Sequence, residues 1–191
     1  MTERLERGYF EGLYEADRDP WGFETSAYEA EKYERTIAAL EGRHFPRGLE
    51  VGCSIGVLTA MLSAHCDALL AVDVSELAVE RAGKRLAELD HVRVERRTLP
   101  EEMPAGPFDL IVCSEVLYYW DRELLSAALD ELEPELAPGG SLLAVHWRPP
   151  TRTYPLRGDE VHEILLERSA LEPAWSAVEE RYRIDRLDRS R

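Results

Sequence analysis

From Arg47 onward, short apolar runs alternate with stretches in which apolar residues recur at helical spacing. That alternation predicts a parallel sheet with crossover helices, an α/β fold. The apolar runs predict strands over GLEV (48–51), ALLAVD (68–73), VRVER (92–96), FDLIVC (108–113) and SLLAVHW (141–147). Helices are expected to start near Gly56, Ser75 and Asp121, and the last two side chains are of the kind that caps a helix amino terminus. In the helix after Asp121, Leu125, Ala128, Leu129 and Leu132 share one face. Pro134 ends or kinks that helix, and PGG (138–140) is expected to turn the chain into the next strand. After Pro149 and Pro150 the pattern predicts a helix around Asp159 to Arg168, then a strand pair within LEPAWSAVEERYRIDRLD that finishes the sheet. Residues 1–46 read as mostly helical, with a break at DRDPWGF (17–23). Such a preface is placed to lie over a ligand site as a lid.

A chain of 191 residues buries one substantial core and is short for two. One domain is therefore expected over 1–191, with 1–46 as the helical lid segment and 47–191 as the core. No run approaches the roughly 18 apolar residues of a membrane span. MTERLERGYF is too charged for a secretory signal, so a cytoplasmic protein is expected. The 38 acids outnumber the 23 bases, a formal net charge of -15 that repels nucleic-acid phosphates. A small-molecule substrate is expected instead, with neither nucleic acid nor membrane as partner. The sequence says nothing of oligomeric state. Cys53, Cys66 and Cys113 are odd in number and lack metal-ligand spacing, so they are expected as reduced thiols in or near the core, and no metal site is expected.

The stretch GLEVGCSIG (48–56) begins as a strand and ends as a glycine loop, yet Gly52 and Gly56 do not keep the spacing of the dinucleotide fingerprint. In an open parallel sheet, ligands sit beyond the carboxyl ends of the strands where the strand order reverses, normally at the first strand and its helix. Glycines there let a ligand approach the backbone, and the following helix presents free amides. Asp73 closes the second strand at the distance from which a carboxylate accepts ribose hydroxyls. An adenosine-containing ligand follows, either a dinucleotide or S-adenosylmethionine. Glu50 discriminates between them: a pyrophosphate charge about 4 Å away would cost on the order of 4 kcal/mol at an effective dielectric near 20. The ammonium and sulfonium of S-adenosylmethionine turn the same acid into an attraction. Tyr28 and Lys32 have the spacing of a hydride-transfer pair but precede the glycine loop instead of following it, so the spacing is read as chance. A nucleotide-dependent oxidoreductase and a noncatalytic cofactor-binding module stay as alternatives.

LEVGCSIG, AVDVS, FDLIVCSEVLYYW and LAPGGSLL, in that order, resemble the class I S-adenosylmethionine-dependent methyltransferases across about residues 47–146. The front stretch DRDPWGFETSAYEAEKYERT, with SEVLYY, further resembles the nodulation-protein-S (NodS-like) methyltransferases, which methylate the free amine of a deacetylated chitin oligosaccharide. HWRPPTRTYPLRGDEVHE (146–163) departs from that pattern. The resemblance implies a Rossmann-like, seven-stranded, mostly parallel sheet with helices on both faces and an antiparallel last strand. It implies S-adenosyl-L-methionine as cofactor, S-adenosyl-L-homocysteine as product, and a small polar acceptor, an amine or amino sugar. It places Glu50, Gly52, Cys53, Ser54 and Gly56 around the methionine moiety, Ser54 standing where a glycine is more usual. Asp73 and Val74 fall at the ribose and adenine, Thr98 and Leu99 at the adenine-side turn, and Ser114 and Glu115 where cofactor and acceptor meet. Trp21 and Lys32 are expected to close over the cofactor.

Glu115, Tyr119 and His146 are the candidates for orienting the nucleophile. Each has a plainer reading as well. Glu115 suits a helix cap, the aromatic run Tyr118, Tyr119 and Trp120 suits the core, and His146 suits a hydrogen-bonded structural histidine. His162, on the expected helix after Asp159, reads as packing, and Trp21 reads equally well as an apolar anchor for the front segment.

Overall fold

A computed structural model describes residues 4–191 of the chain; the first three residues of the expected lid segment lie outside the described residues. The elements run α1 (Arg7–Ala16), α2 (Ala27–Ala38), β1 (Phe45–Val51), α3 (Val57–Leu62), β2 (Cys66–Asp73), α4 (Glu76–Arg85), β3 (Val92–Arg96), β4 (Phe108–Ser114), α5 (Arg122–Leu132), β5 (Leu136–Trp147), α6 (Gly158–Arg168), β6 (Glu172–Val178) and β7 (Tyr182–Asp188). The strands form one seven-stranded sheet in the order β3-β2-β1-β4-β5-β7-β6. Every pairing is parallel except those of β7, which runs antiparallel to β5 and β6. This is the Rossmann-like sheet that the motif order implies.

Period-two alternation along the strands sorts the core onto two faces. Leu49, Val51, Ile111, Cys113, Leu142 and Ala144 pack with Leu125 and Leu129 of α5 and with Val161 and Leu165 of α6. Their neighbours Leu110, Val112, Leu143 and Val145 pack with Tyr33 of α2 and with Leu58 and Leu62 of α3. Strands buried on both faces read as continuous apolar runs, which is why they are visible in the sequence. Cys53, Cys66 and Cys113 are buried free thiols.

Two details differ from the expectation. β1 and β2 start earlier than their apolar runs, because Phe45 and Arg47 already pair with Cys66 and Ala68. The PGG segment does not precede β5 but lies inside it. There the register with β4 jumps from Phe108↔Leu136 to Leu110↔Ser141, so residues 138–140 form a bulge. Gly139, at φ +76°, donates its N–H to the Arg189 carbonyl, and Gly140 accepts the Arg189 N–H, so the bulge stays in the sheet. The helix after Gly56 is only six residues long and passes into a 3₁₀ turn over Ser63–His65.

The caps are as expected: Ser75 Oγ accepts the Ala78 N–H, and Asp121 Oδ1 accepts the Leu124 N–H. In the front segment the break between α1 and α2 is held by Asp19, whose carboxylate accepts the N–H groups of Phe23 and Glu24 at 2.8 Å each. α1 docks on α4. Arg81 donates to the carbonyls of Tyr14 (2.9 Å) and Arg18 (3.0 Å), and Glu11 accepts the Glu76 N–H and the Ser75 hydroxyl. No helix among the described residues is long and apolar enough to cross a membrane.

Candidate functional site

The strand order reverses between β1 and β4, and there the carboxyl ends of β1, β2, β4 and β5 surround a cavity of about 690 Å³. That is the place and the size of a small-molecule site in an open α/β sheet. Phe10, Tyr14, Trp21, Phe23, Tyr28 and Lys32 of the front segment contribute to its wall.

The loop after β1 turns through three left-handed residues, Gly52 at φ +77°, Ser54 at φ +50° and Gly56 at φ +80°. A Cβ on Gly52 would lie 3.1 Å from the Val116 side chain, a tight contact added to the strain of a left-handed backbone, so glycine suits the narrow gap between loop and wall. Ser54 takes a conformation that glycine adopts more cheaply. Two hydrogen bonds hold it there: its N–H donates to Asp73 Oδ2 at 2.8 Å, and its hydroxyl meets the Tyr14 hydroxyl at 2.5 Å. Gly56 does not line the cavity. It caps α3, and a Cβ there would press on Ala82 and Leu86 at 3.1 Å, so it serves the packing of α3 against α4.

Asp73, at the end of β2, accepts the N–H groups of Ser54 and Ser75 on separate oxygens, at 2.8 and 2.9 Å. Each oxygen keeps a second lone pair for a ligand hydroxyl. Burial pushes its carboxyl up to about 6 against the pull of the backbone amides. Glu50, two residues before Gly52, is 1% exposed yet on the cavity wall. Burial pushes its carboxyl up to about 8, opposed by the Thr59 hydroxyl and reinforced by Asp73. Among the described residues Glu50 Oε2 has no hydrogen-bond partner. A buried carboxylate oxygen without a donor is costly unless a cation meets it. An adenosine carrying a cationic amino-acid tail therefore fits, its diol at Asp73 and its ammonium at Glu50. Val74, Thr98 and Leu99 lie on the same wall as Asp73.

Glu50 also sets a pH dependence. Its pKa is higher folded than unfolded, so the folded state binds more protons across the interval from about 4.3 to about 8, and stability falls as pH rises through it. Glu50→Gln keeps the shape and removes the ionisation. We expect the ligand-free variant to melt above the parent at pH 8.5, by a difference on the order of a few kcal/mol, and to match it at pH 5. Thermal melts at the two pH values check this; a variant destabilised equally at both would contradict it.

At the end of β4, Glu115 sits at φ +57°. Its Oε1 accepts from Lys32 Nζ at 2.6 Å, and its Oε2 accepts the Trp147 N–H at 2.9 Å and the Tyr118 hydroxyl. Lys32 is 2% exposed and also meets Glu29 at 2.8 Å. Burial pulls the ammonium down, but Glu115 and Glu29 outweigh it and hold Lys32 above its ordinary value. Burial likewise raises Glu29 against the attraction of Lys32. Lys32 therefore joins no hydride-transfer pair: its ammonium lies 5.3 Å from the Tyr28 ring centroid, and among the described residues the Tyr28 hydroxyl has no hydrogen-bond partner.

Of the candidates drawn from the sequence, Trp21, Lys32, Glu50, Gly52, Cys53, Ser54, Asp73, Val74, Thr98, Leu99, Ser114, Glu115 and Tyr119 line the one cavity. Tyr119 packs edge-on against Phe10 and Tyr154. His146 does not line it. Its ring is fully buried behind the wall, its Nε2 accepting the Leu117 N–H at 3.2 Å and its Nδ1 meeting His162 Nε2 at 3.2 Å. His162 is buried too, as its packing reading implies, and joins Asp185 at 2.7 Å. Tyr14, Glu29, Trp147 and Tyr154 reach the cavity without having been singled out. Glu29 and Lys32 at i,i+3 on one helix face carried a signal for their ion pair. Tyr14 carried none, since a buried tyrosine on an amphipathic helix looks like core.

Residues 12–148 match the family model of nodulation protein S. Nodulation protein S of Bradyrhizobium diazoefficiens is 35% identical over 127 residues, covering 65% of this chain and 61% of that protein. Its counterpart in Sinorhizobium fredii is 32% identical over 130 residues, covering 67% and 60%. The chain thus spans about three-fifths of the length of these relatives. Among solved structures, N-methyltransferase NodS from Bradyrhizobium japonicum, in complex with S-adenosyl-L-homocysteine, superposes with a TM-score of 0.87 at 27% identity, over 98% of this chain and all of that one. A putative methyltransferase from Pseudomonas syringae is 40% identical, with a TM-score of 0.77, over 86% of this chain and all of that one.

Proposed function

The chain belongs to the nodulation protein S family of S-adenosylmethionine-dependent methyltransferases, and from that premise we propose that it transfers a methyl group to the amine of a small polar acceptor, such as an amino sugar. The observation that carries the cofactor half of this reading is Glu50, a buried carboxyl on the cavity wall with an oxygen that lacks a donor among the described residues. Held at about 8 by burial, the group is largely protonated in the ligand-free protein; an arriving ammonium favours its ionised form, whereas a pyrophosphate would hold it protonated and gain no attraction.

S-adenosylmethionine, when bound, supplies a methyl group already activated for displacement. The protein's part is to bind, align and exclude water. Asp73 accepts the ribose hydroxyls and Glu50 faces the cationic end. Tyr14, Trp21 and Phe23 form an aromatic cover, with ring centroids 5.6 and 5.5 Å apart in sequence. Glu115 presents a carboxylate whose direction is fixed by Lys32, Tyr118 and Trp147, and it orients the N–H of the acceptor, with Tyr119 as the wall beside it. Alignment of a nucleophile is worth roughly 7 to 11 kcal/mol, against about 3 to 5 for a general base, so orientation outweighs proton removal. The three unpaired buried cysteines suit a cytoplasmic location.

The test is formation of S-adenosylhomocysteine from S-adenosylmethionine with glucosamine, chitosan oligomers, ethanolamine and simple sugars as acceptors. Turnover is expected with at least one amine and with none of the sugars lacking an amine. Turnover of the hydroxyl acceptors alone would replace N- by O-methylation; absence of turnover, with cofactor bound, would favour a noncatalytic module.

A further inference from the structure

The turn that carries Glu115 and Tyr118 is gripped by three successive residues of β5. The Val145 carbonyl accepts the Glu115 N–H at 2.8 Å, and the Trp147 N–H donates to Glu115 Oε2 at 2.9 Å. Between them, His146 Nε2 accepts the Leu117 N–H at 3.2 Å, and its ring lies edge-on to Tyr118 with centroids 5.2 Å apart. On the β5 side the outer two grips are backbone groups, independent of the side chains at Val145 and Trp147. The middle one depends on a ring that can carry its proton on either nitrogen.

A backbone N–H only donates, so His146 Nε2 must be the bare nitrogen and Nδ1 must hold the proton. That N–H points to His162 Nε2 at 3.2 Å, which must therefore accept, leaving the proton of His162 on Nδ1. His162 Nδ1 in turn donates to Asp185 Oδ2 on β7 at 2.7 Å. The whole chain runs one way, from Leu117 N–H through two rings to a carboxylate. Both rings are fully buried and Asp185 is 3% exposed, so no water competes for these positions.

We propose that Asp185 and His162 are positioning residues that fix the tautomer of His146, and through it the Leu117 N–H and the Glu115–Tyr118 turn against which the acceptor is held. His146 thus acts from behind the cavity wall, touching neither cofactor nor acceptor. Its participation in methyl transfer rests on the reading above; its tautomer does not.

The tautomers are read directly from imidazole nitrogen shifts in the ¹⁵N-labelled protein. Both His146 and His162 are expected with a protonated Nδ1 and a bare Nε2 near neutral pH. A protonated Nε2 on either ring would overturn the proposal. Replacement of the middle link gives the second arm. In His162→Phe, exchange of the Leu117 amide proton is expected to accelerate at least tenfold, while amides of β2 on the far side of the sheet keep their rates. His146→Gln places an amide oxygen toward Leu117 and an amide N–H toward His162, and it is expected to hold the Leu117 rate within about threefold of the parent. His146→Phe is expected to lose that protection. Uniform acceleration across the sheet in His162→Phe, or equal loss in His146→Gln and His146→Phe, would reduce the chain to ordinary core stability and sink the proposal. With any amine that the parent methylates, His162→Phe is expected to lower kcat tenfold or more at unchanged S-adenosylhomocysteine affinity. A parent that methylates no amine defeats the functional reading and leaves the tautomer arms standing.

Discussion

Lys32→Met is expected to destabilise the protein by about 3 to 5 kcal/mol, the cost of removing one partner from a buried charge cluster. The ammonium lies between Glu29 and Glu115, at 2.8 and 2.6 Å, and all three side chains are largely withdrawn from water. Methionine fills the space and leaves two carboxylates facing one another without a cation. With total stabilities of about 5 to 15 kcal/mol, this is a large fraction, a drop in melting temperature on the order of 10 °C. The loss has a predictable sign in pH. Burial already holds Glu29 above its ordinary value, and without Lys32 nothing opposes that rise, so the variant recovers stability as pH falls and Glu29 takes up a proton, and loses it as pH rises. Adding Glu29→Gln to Lys32→Met removes one orphaned charge and is expected to restore part of the loss, a coupling that a double-mutant cycle measures. Chemical denaturation at pH 8 and pH 5.5 checks both statements. A loss below about 1 kcal/mol at pH 8 would mean that the cluster stays hydrated.

Asp73→Ala is expected to weaken S-adenosylhomocysteine binding at least tenfold and up to about a hundredfold, since hydrogen bonds to a charged group contribute about 1.5 to 3 kcal/mol. The same carboxylate tethers the Ser54 and Ser75 amides, so the substitution also loosens the glycine loop. A pH titration separates the two effects. Burial places the Asp73 carboxyl at about 6, so affinity in the parent falls as pH drops through that value and the acceptor charge is lost. The variant has no such group, and its residual affinity is expected to lack that step. Calorimetry across pH 5 to 8 reads it. Unchanged affinity in Asp73→Ala would take this residue off the ribose.

The sheet was legible in the sequence because its strands are buried on both faces and read as unbroken apolar runs between capping residues. Ser75 and Asp121 marked helix starts by their own hydrogen bonds. The bulge at 138–140 was not legible. PGG signals a turn by composition, and only pairing with Arg189, far along the chain, keeps it inside β5. In the site, Glu50, Gly52 and Asp73 could be placed by spacing alone because they sit on consecutive strand ends. Gly56 belongs to the same motif but answers to helix packing. His146 shows the limit most clearly. Its position at the end of a site strand is what a catalytic histidine would have, and nothing local reveals that His162 and Asp185 close around its ring from a helix and a strand that come later. The front segment falls between these cases: the break at 17–23 marked where its two helices part, whereas the Tyr14 to Ser54 contact needed the fold.

The most direct test of the central claim, that a carboxylate-lined crevice at the β1–β4 switch takes a sulfonium nucleoside and not a dinucleotide, is a calorimetric titration of the ligand-free protein. S-adenosylhomocysteine and S-adenosylmethionine are expected to bind one per chain at micromolar concentration, and reduced nicotinamide dinucleotide is expected to give no heat at millimolar. Saturable binding of the dinucleotide, with neither adenosyl ligand bound, would contradict it.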